Sequence, residues 1–374
     1  MKKVVFITTD LELGGAEMML LKLLSRIDRD RFEPAVLSLA GSGRLAGQIE
    51  SLGIAVHDIG MRTGAGIAGG TIRLWRRLHE IKPDLIQGWM VHGNLAAAFG
   101  GVITGTPVFW GVRHSRLDVL VEKRSTVLLE RFLALLSRIP RRIVYNSRSG
   151  KTRHESLGYM ARRGIVVPNG FDLDRFKPDE VFRSEVRREL GIGADCVVVG
   201  FFGRFHPMKD HATLLEAVKM LRPDIPQLKV ILAGDGCGPG NPELRKMIAD
   251  RNLADTVLLL GPRRDVERLT AAIDIAANSS RANEGFANVI GEAMAVGVPC
   301  VVTDVGDAAS IVVDNGEIVP PSNARAFSDA LHRMIMLGSD GRREMGARAR
   351  KRIAESFSID AITRQFEVLY SGSL

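Results

Sequence analysis

Two cationic side chains follow a buried strand in the second half of the chain. The apolar run Val197–Phe202 leads into Gly203-Arg204-Phe205-His206-Pro207-Met208-Lys209-Asp210. Glycine lets the backbone approach a ligand closely, Arg204 offers a planar fork to phosphate oxygens, and Lys209 supplies a compact positive charge. At the end of a central strand, this spacing predicts a clamp for a diphosphate leaving group. A solvated turn would contain the same residue types.

Two glutamates lie eight positions apart further along the chain. Glu284 precedes a predicted helix, Phe286–Val296, and Glu292 lies within it. A rise of 1.5 Å per residue separates the two acids by about 12 Å. This is the order of distance from a donor sugar, across a diphosphate, to a nucleotide ribose. Free N–H groups at Phe286 and Ala287 would favour negative charge between the acids. Alternatively, Glu284 only stabilises the helix dipole and Glu292 is an unrelated surface acid.

Parallel sheets are the elements that must position these residues. Apolar runs alternate with helical patterns such as Ala16–Ile27 and Ala212–Leu221, which is typical of the doubly wound α/β class. The predicted strands are Val4–Thr8, Glu33–Leu39, Ala55–Ile59, Leu85–Gly88, Val108–Gly111, Arg142–Tyr145, Val197–Phe202, Lys229–Ala233, Val257–Leu260, Ile273–Ala276, Pro299–Val302 and Ile318–Val319. The first turn, residues 10–16, lacks the G-x-G-x-x-G pattern of nicotinamide-cofactor sites, and no Walker loop is present.

The strand–glycine turn–helix pattern occurs twice, and 374 residues suit two domains. We predict an N-terminal Rossmann-like domain over residues 1–168 and a C-terminal Rossmann-like domain over residues 169–355. Residues 356–374 contain a last helix, Ile359–Tyr370, that could return to the first domain. Two such domains would turn the carboxyl ends of their strands toward a shared cleft. The segment Gly64–Gly70 is expected to be a flexible loop.

Charge is distributed unevenly along the chain. Residues 1–170 carry 25 Lys and Arg against 14 Asp and Glu, whereas the remaining residues carry 26 against 29. A basic first half predicts an anionic partner, such as a membrane surface, a phosphorylated acceptor or a nucleic acid. Only 6% of the residues are aromatic, which argues against nucleic acid. The four apolar residues after Lys3 are too few for a signal peptide, and three isolated cysteines support neither disulfides nor zinc. We therefore expect a cytoplasmic protein.

Five segments resemble, in order, the motifs of retaining glycosyltransferases of family 4 (glycosyl transferases group 1), which have the two-domain GT-B fold. They are Gly14-Gly15-Ala16-Glu17, the stretch Val166–Asp172, Gly203-Arg204 with Lys209-Asp210, Ala233-Gly234-Asp235-Gly236, and Glu284-x(7)-Glu292 preceded by Ser279-Ser280. The resemblance covers nearly the whole chain. Asn278-Ser279 stands where the family often has Pro-Ser, and Arg281-Ala282-Asn283 is unusually polar, which leaves the donor sugar open.

The resemblance implies that the N-terminal domain binds the acceptor and that the C-terminal domain binds the nucleotide sugar. It also implies a role for each matched position. Arg204 and Lys209 would hold the donor diphosphate, Glu292 would accept hydrogen bonds from the ribose, and Glu284 would contact hydroxyls of the donor sugar. The other donor-site positions would line the sugar pocket or approach the phosphates, and they are Gly14, Gly15, Ala16, Gly203, Gly234, Gly236, Gly285, Phe286 and Ala287. The family's active-site histidine is best matched by His114, with His92 as its competitor.

The implied reaction is transfer of a sugar with retention of anomeric configuration. No obligatory metal is expected, and the nucleotide-diphosphate sugar is a co-substrate rather than a cofactor. The acceptor would be a glycan or a lipid-linked molecule in cell-surface polysaccharide or glycolipid biosynthesis. A sugar-nucleotide epimerase or hydrolase of the same fold, or a non-catalytic nucleotide-sugar-binding protein, remains an alternative.

A basic and apolar stretch in the first half is consistent with attachment to anionic lipid. Its apolar members include Leu117, Val119, Leu120, Leu128 and Leu129. Its basic members are Arg113, Arg116, Lys123, Arg124, Arg131, Arg138, Arg141 and Arg142. The stretch predicts a peripheral position on the inner face of the membrane, although a solvated basic helix face would show the same pattern.

Overall fold

Two structural units make up the chain. The computed structural model describes residues 1–61, 65–113, 124–282 and 284–372. Unit 1 comprises Met1–Gly170 with Ile359–Leu374, and unit 2 comprises Phe171–Ser358. The predicted boundaries after residues 168 and 355 lie within three residues of these divisions.

Unit 1 is built on a parallel seven-stranded sheet of order β3-β2-β1-β4-β5-β6-β7. Its elements are β1 (Lys2–Thr8), α1 (Gly15–Arg26), β2 (Phe32–Ser38), α2 (Ala46–Ser51), β3 (Ala55–Asp58), α3 (Ala65–Ile81), β4 (Leu85–Trp89), α4 (Met90–Thr104), β5 (Val108–Val112), α5 (Arg124–Leu136), β6 (Arg142–Tyr145), α6 (Arg148–Ser156) and β7 (Gly164–Val166). Strands β4 and β5 are buried along their whole length, as expected for a sheet covered on both faces.

Unit 2 is built on a parallel six-stranded sheet of order β10-β9-β8-β11-β12-β13. Its elements are α7 (Glu180–Glu189), β8 (Val197–Phe202), α8 (His211–Leu221), β9 (Leu228–Ala233), α9 (Pro242–Ala249), β10 (Val257–Gly261), α10 (Val266–Ala272), β11 (Ile275–Asn278), α11 (Asn288–Val296), β12 (Cys300–Thr303), α12 (Ala308–Val312), β13 (Gly316–Val319), α13 (Ala324–Met336) and α14 (Gly338–Ser356). Both units therefore have the doubly wound α/β architecture predicted from the sequence.

The last helix, α15 (Ile359–Ser371), is part of unit 1 and packs against α1. Its apolar face is buried in the core of that unit, where Phe366 lies against Trp89 and Tyr370 lies against Phe6 and Phe109. The Tyr370 hydroxyl lies 3.2 Å from Gln87 Oε1. The chain thus enters unit 2 at Phe171 and returns to unit 1 at Ile359.

Several local predictions differ from the structure. The helix expected over Phe286–Val296 begins at Asn288. Residues 65–70 belong to the segment that was expected to be a loop, but they form the first turns of α3. Glycines are tolerated there because the helix is long and amphipathic. The three-residue strand β7 is additional. Within the described ranges, none of the helices has the length and apolar character needed to cross a membrane.

Candidate functional site

Two glycine-containing turns are pressed together at the carboxyl ends of β8 and β9. The Gly203 N–H donates to Ala233 O at 2.8 Å, and the Phe205 N–H donates to Asp235 O at 2.7 Å. Gly234 has a φ of +142°, and a Cβ at this position would collide with Gly203 O. Only glycine fits this backbone. Because these turns have no side chain at Gly203 and Gly234, a ligand can approach their main-chain groups closely.

Lys209 is positioned by a short 3-10 turn, Pro207–Lys209, and by the start of α8. Asp210 has a left-handed φ of 50°, and its carboxylate accepts hydrogen bonds from the N–H and hydroxyl of Thr213. The Ser279 hydroxyl, which follows β11, lies 3.1 Å from Lys209 O and 3.0 Å from Asp210 O. The loops after β8 and β11 are thereby held together.

Lys209 and Glu284 form an ion pair at the centre of this loop cluster. The distance from Lys209 Nζ to Glu284 Oε2 is 2.6 Å, and both side chains are 16% exposed. The Ser280 hydroxyl donates to the same Oε2 at 2.9 Å. The structure therefore brings together two of the predicted site residues that are 75 positions apart.

The segment that carries Glu284 is supported by the loop after β12. A Cβ at Gly306, whose φ is +64°, would collide with Glu284 O and approach Gly285 O. The Asp307 N–H donates to Gly285 O at 3.0 Å, and the Thr303 hydroxyl donates to Ser280 O at 2.5 Å. These contacts fix the backbone on both sides of the Glu284 carboxylate.

The rise of a single helix, on which the predicted spacing of the two acids depends, does not connect them in the structure. Glu284 lies four residues before α11, which begins at Asn288, so the rise of a helix does not set its distance from Glu292. Glu292 lies within α11 and is partly buried. The side chain of Phe286 is buried and stacks on Phe171, with ring centroids 5.9 Å apart. The Phe286 side chain thus packs in the core of unit 2.

Arg204 provides an available positive charge in the same loop cluster. Its side chain is exposed, and it forms no hydrogen bond or ion pair with any residue that the structure describes. By contrast, Lys209 is already neutralised by Glu284. Arg204 is therefore an uncommitted cation beside a neutral pair.

His211 is a buried neutral group at the first position of α8. Its ring packs between Phe201 and Phe205, and its Nε2 lies 3.5 Å from Cys237 Sγ. Burial, together with the neighbouring positive charge of Lys209, lowers the pKa of His211 to about 4. A neutral imidazole at this position avoids placing a second cation at the start of α8.

In unit 1, the predicted glycine loop precedes α1. Gly14 is the N-terminal cap residue, with Met18 N–H donating to its carbonyl, and Ala16 O accepts a hydrogen bond of 2.8 Å from Trp89 Nε1. Burial raises the pKa of Glu17, on the first turn of α1, and Asp10 raises it further. Gly14, Gly15 and Ala16 thus form the start of α1, and the Glu17 carboxyl group follows them in the first turn.

Of the two histidine candidates, the structure describes His92. His92 is exposed on α4 of unit 1. His114 lies outside the described residues, as do Arg116 and Lys123 of the predicted basic stretch.

Arg113 is not part of a basic surface, which corrects the sequence-based prediction. It is 7% exposed, its guanidinium stacks 4.5 Å from the Trp89 ring, and Nη1 donates to Val167 O at 3.1 Å. Burial lowers the pKa of Arg113 to about 10. Arg113 also lies over the Phe366 ring of α15. It therefore connects the end of β5 both to Val167 and to the last helix.

Some residues of the site were not selected from the sequence. Gly306 and Thr303 support the Glu284 segment from a different strand, and no local pattern points to them. The available signal was positional, because Thr303 ends β12 and Gly306 follows it at the carboxyl edge of the sheet.

Two family models match the chain. The model for Glycosyl transferases group 1 matches residues 196–336, and the model for Glycosyltransferase Family 4 matches residues 13–175. Together they cover most of both units.

Two curated proteins illustrate the range of relatives. The chain is 35% identical over 235 residues to a D-inositol 3-phosphate glycosyltransferase of Geodermatophilus obscurus, an alignment that covers 59% of this chain and 51% of that protein. It is 28% identical over 231 residues to the lipopolysaccharide core biosynthesis mannosyltransferase LpsB of Rhizobium meliloti, covering 59% and 64%. In the first of these alignments the chain spans about half the length of its curated relative.

Solved structures match over the whole chain. Anabaena HepE in complex with UDP has a TM-score of 0.86 at 26% identity, with both chains covered completely. HepE in complex with UDP-glucose has a TM-score of 0.82 at 25% identity, with 99% of both chains covered.

Proposed function

This chain belongs to the group 1 glycosyl transferases, and from that premise we propose that it transfers a sugar from a nucleotide-diphosphate donor to a glycan or lipid-linked acceptor. The observation that carries the proposal is the Lys209–Glu284 pair, held 2.6 Å apart beside the Gly203–Gly234 turns. It places a cation and a sugar-compatible acid next to exposed backbone. The cation suits the diphosphate of a nucleotide sugar, the acid suits the sugar hydroxyls, and the turns allow a close approach of the ligand.

A uridine diphosphate sugar is the first donor to test. The HepE structures contain UDP and UDP-glucose, and their similarity to this chain extends over both units. In the proposed complex Arg204 and Lys209 bind the diphosphate, and Glu292 accepts hydrogen bonds from the ribose. The close turns at Gly203, Gly234 and Gly236 let the backbone approach the donor.

In the proposed reaction, the bond between the anomeric carbon and the diphosphate oxygen breaks. Arg204 and Lys209 stabilise the negative charge that develops on the leaving diphosphate, in place of an obligatory metal ion. The acceptor hydroxyl attacks with retention of configuration, and its proton passes to the departing phosphate oxygen or to a nearby group, for which His114 is the candidate. Glu284 holds hydroxyls of the donor sugar, with Gly285 and Ala287 beside it.

The experiment combines the purified chain with UDP-glucose and measures UDP release with and without a glycan or lipid-linked acceptor. Acceptor-dependent UDP release is expected, with the donor's anomeric configuration preserved in the product by NMR, in the presence of EDTA. UDP release that does not depend on acceptor would instead identify a hydrolase. Tight UDP binding without turnover of any tested UDP-, GDP- or ADP-sugar would identify a binding protein.

The acceptor proposal rests on one face of α5. Leu128, Phe132 and Leu135 lie at i, i+4 and i+7 and are 70%, 49% and 74% exposed. Arg131 and Arg138 are exposed on and just after the same helix. Apolar side chains flanked by arginine suit the interface of an anionic membrane, where a lipid-linked acceptor would be found. We therefore propose peripheral attachment to the inner face of the membrane, where cytoplasmic donors are available.

Flotation with vesicles tests this attachment. Vesicles containing phosphatidylglycerol should carry the chain upward, whereas phosphatidylcholine vesicles should do so much less, and Phe132→Ser with Leu135→Ser should reduce flotation. A matched control is Val181→Ser, which removes an exposed apolar residue of unit 2. Equal flotation of the α5 variant and the wild type would contradict the assignment of this face.

A further inference from the structure

A cluster of basic side chains lies at the edge of the unit 1 sheet where its strands begin. A cavity of about 570 Å³ opens at the amino ends of β1, β4, β5 and β6. Lys2, Leu85 and Arg142 are the first residues of three of these strands and line the cavity. The glycine loop of unit 1 follows the carboxyl end of β1, so the cavity is distinct from the proposed donor-binding positions.

Basic side chains dominate the lining of this cavity. They are Lys2, Arg141, Arg142, Arg162 and Arg163, against one acid, Asp84. The Asp84 carboxylate already accepts a hydrogen bond of 2.8 Å from the Lys3 N–H. None of the four arginines forms an ion pair with an acid in the described ranges of the chain.

The arginines are held next to one another by the local fold. Arg141 and Arg142 lead into β6, and Arg162 and Arg163 lie in the 3-10 turn before β7, its neighbour in the sheet. Burial lowers the pKa of Arg163, and the charges of Arg162 and Arg142 lower it further. Like charges without a neutralising acid are unfavourable unless a ligand supplies the negative charge.

The cavity also has an apolar wall. Leu85, Phe109 and Leu369 line it, and Lys2 Nζ donates to Tyr370 O at 2.6 Å near the end of α15. This bond directs the ammonium group toward the helix end, while Arg141 and Arg162 are exposed and without a side-chain partner among the described residues. The guanidinium groups of Arg141 and Arg162 can therefore rearrange around an anion, whereas the Arg163 guanidinium already donates to Pro140 O.

We propose that this cavity binds the phosphate group of a phosphorylated ligand. Arginine presents several N–H donors in a planar fork that matches phosphate oxygens, and four arginines supply donors from two adjacent segments of the chain. The apolar wall leaves space for the group that bears the phosphate. That group is either the glycerol of a phospholipid headgroup or a small soluble molecule. The inference does not depend on the proposed transferase reaction.

Hydrogen exchange measured by mass spectrometry tests the proposal, because it separates this cavity from phosphate binding near Arg204. Inorganic phosphate, compared with chloride at equal ionic strength, should slow amide exchange in peptides covering residues 139–145 and 161–166. The variant Arg141→Gln with Arg162→Gln should weaken this protection at least about tenfold in phosphate concentration. Both side chains are exposed, so the fold should be retained.

The control is Arg188→Gln with Arg245→Gln, which removes the same charge from two exposed arginines of unit 2. This control should keep wild-type protection. Vesicles of phosphatidylglycerol then identify the source of the phosphate. Protection of the same peptides by these vesicles and not by phosphatidylcholine supports a lipid headgroup, whereas protection by inorganic phosphate alone supports a soluble ligand. If phosphate and chloride give equal exchange in the wild-type peptides, the proposal is wrong, whatever the variants do.

Discussion

The Lys209–Glu284 pair connects the stability of unit 2 to the proposed chemistry, and a double-mutant cycle can separate the two. Lys209→Met removes the charge and keeps an apolar stem, and Glu284→Gln keeps the shape of the carboxylate. Each single variant leaves one mostly buried partner without its opposite charge. A charge-assisted hydrogen bond of 2.6 Å between groups that are 16% exposed should contribute about 1–3 kcal/mol.

Stability should recover in the double variant. For a unit of this size, 1–3 kcal/mol corresponds to a fall in thermal midpoint of about 2–12 °C in each single variant. Because no charge is left unpaired in Lys209→Met with Glu284→Gln, its midpoint should lie above the sum of the single effects, by a coupling of about 1–3 kcal/mol.

Turnover should not recover in the same way. If Lys209 stabilises charge on the leaving diphosphate, Lys209→Met should lower kcat by about 10²–10³, or about 3–4 kcal/mol of barrier. The double variant should be at least as slow. UDP affinity by calorimetry should fall in both, which tests binding even before an acceptor is known.

Lys219→Met provides the matched control, because Lys219 pairs with Glu216 on the exposed face of α8 at 3.3 Å. It should leave both midpoint and kcat nearly unchanged. The reasoning is refuted if Lys209→Met retains turnover within about threefold of wild type, or if turnover in the double variant rises in parallel with stability.

Three further outcomes are expected. Gly234→Ala should abolish UDP binding by calorimetry and lower the midpoint, at a cost of about 1–3 kcal/mol, because its backbone has φ +142° and the added Cβ meets Gly203 O. The pKa of His211 is about 4 in the folded state and near 6.5 in the unfolded state. Its contribution to the free energy of unfolding is therefore complete above pH 6.5 and is lost as the pH falls toward 4. The thermal midpoint of His211→Phe should therefore depend less on pH than that of the wild type across this window. The corresponding difference in the free energy of unfolding is up to about 3 kcal/mol. Arg113→Ala should destabilise unit 1 by about 2–4 kcal/mol in urea unfolding through lost stacking on Trp89, and Arg113→Met should cost less because it keeps the stem.

Local patterns were sufficient to predict most strands and the cations of the candidate site. Val197–Phe202 and Lys229–Ala233 are apolar runs that end in glycine turns, and such runs depend mainly on their own residues. The start of α11 was misjudged by two residues, because apolar Phe286 fits the helical pattern while its ring packs on Phe171. The position of that ring is set by contact with a residue 115 positions away in the sequence, which a local periodicity cannot predict.

The misassignment of Arg113 and the omission of Gly306 have the same physical origin. Arg113 was grouped with nearby basic residues, yet the end of β5 directs it between Trp89 and Phe366, which come from distant parts of the chain. Gly306 matters only because the Glu284 backbone passes next to it. Charge counts and motif spacing describe neighbours in sequence, whereas both roles are determined by neighbours in space.

The resting charge of the candidate site constrains how a donor can bind. Lys209 and Glu284 neutralise each other, so an arriving diphosphate first encounters the exposed Arg204 rather than a preformed pair of free cations. If Lys209 then turns toward the diphosphate, the Ser280 hydroxyl is the one hydrogen-bond donor that Glu284 keeps among the residues that the structure describes. Glu284 then becomes a poorly compensated, partly buried acid. Hydroxyl groups of the donor sugar can supply the missing hydrogen bonds, whereas UDP alone cannot. In the proposed reaction, binding of the sugar and clamping of the diphosphate are therefore coupled through one carboxylate, and this coupling favours a complete donor over its product.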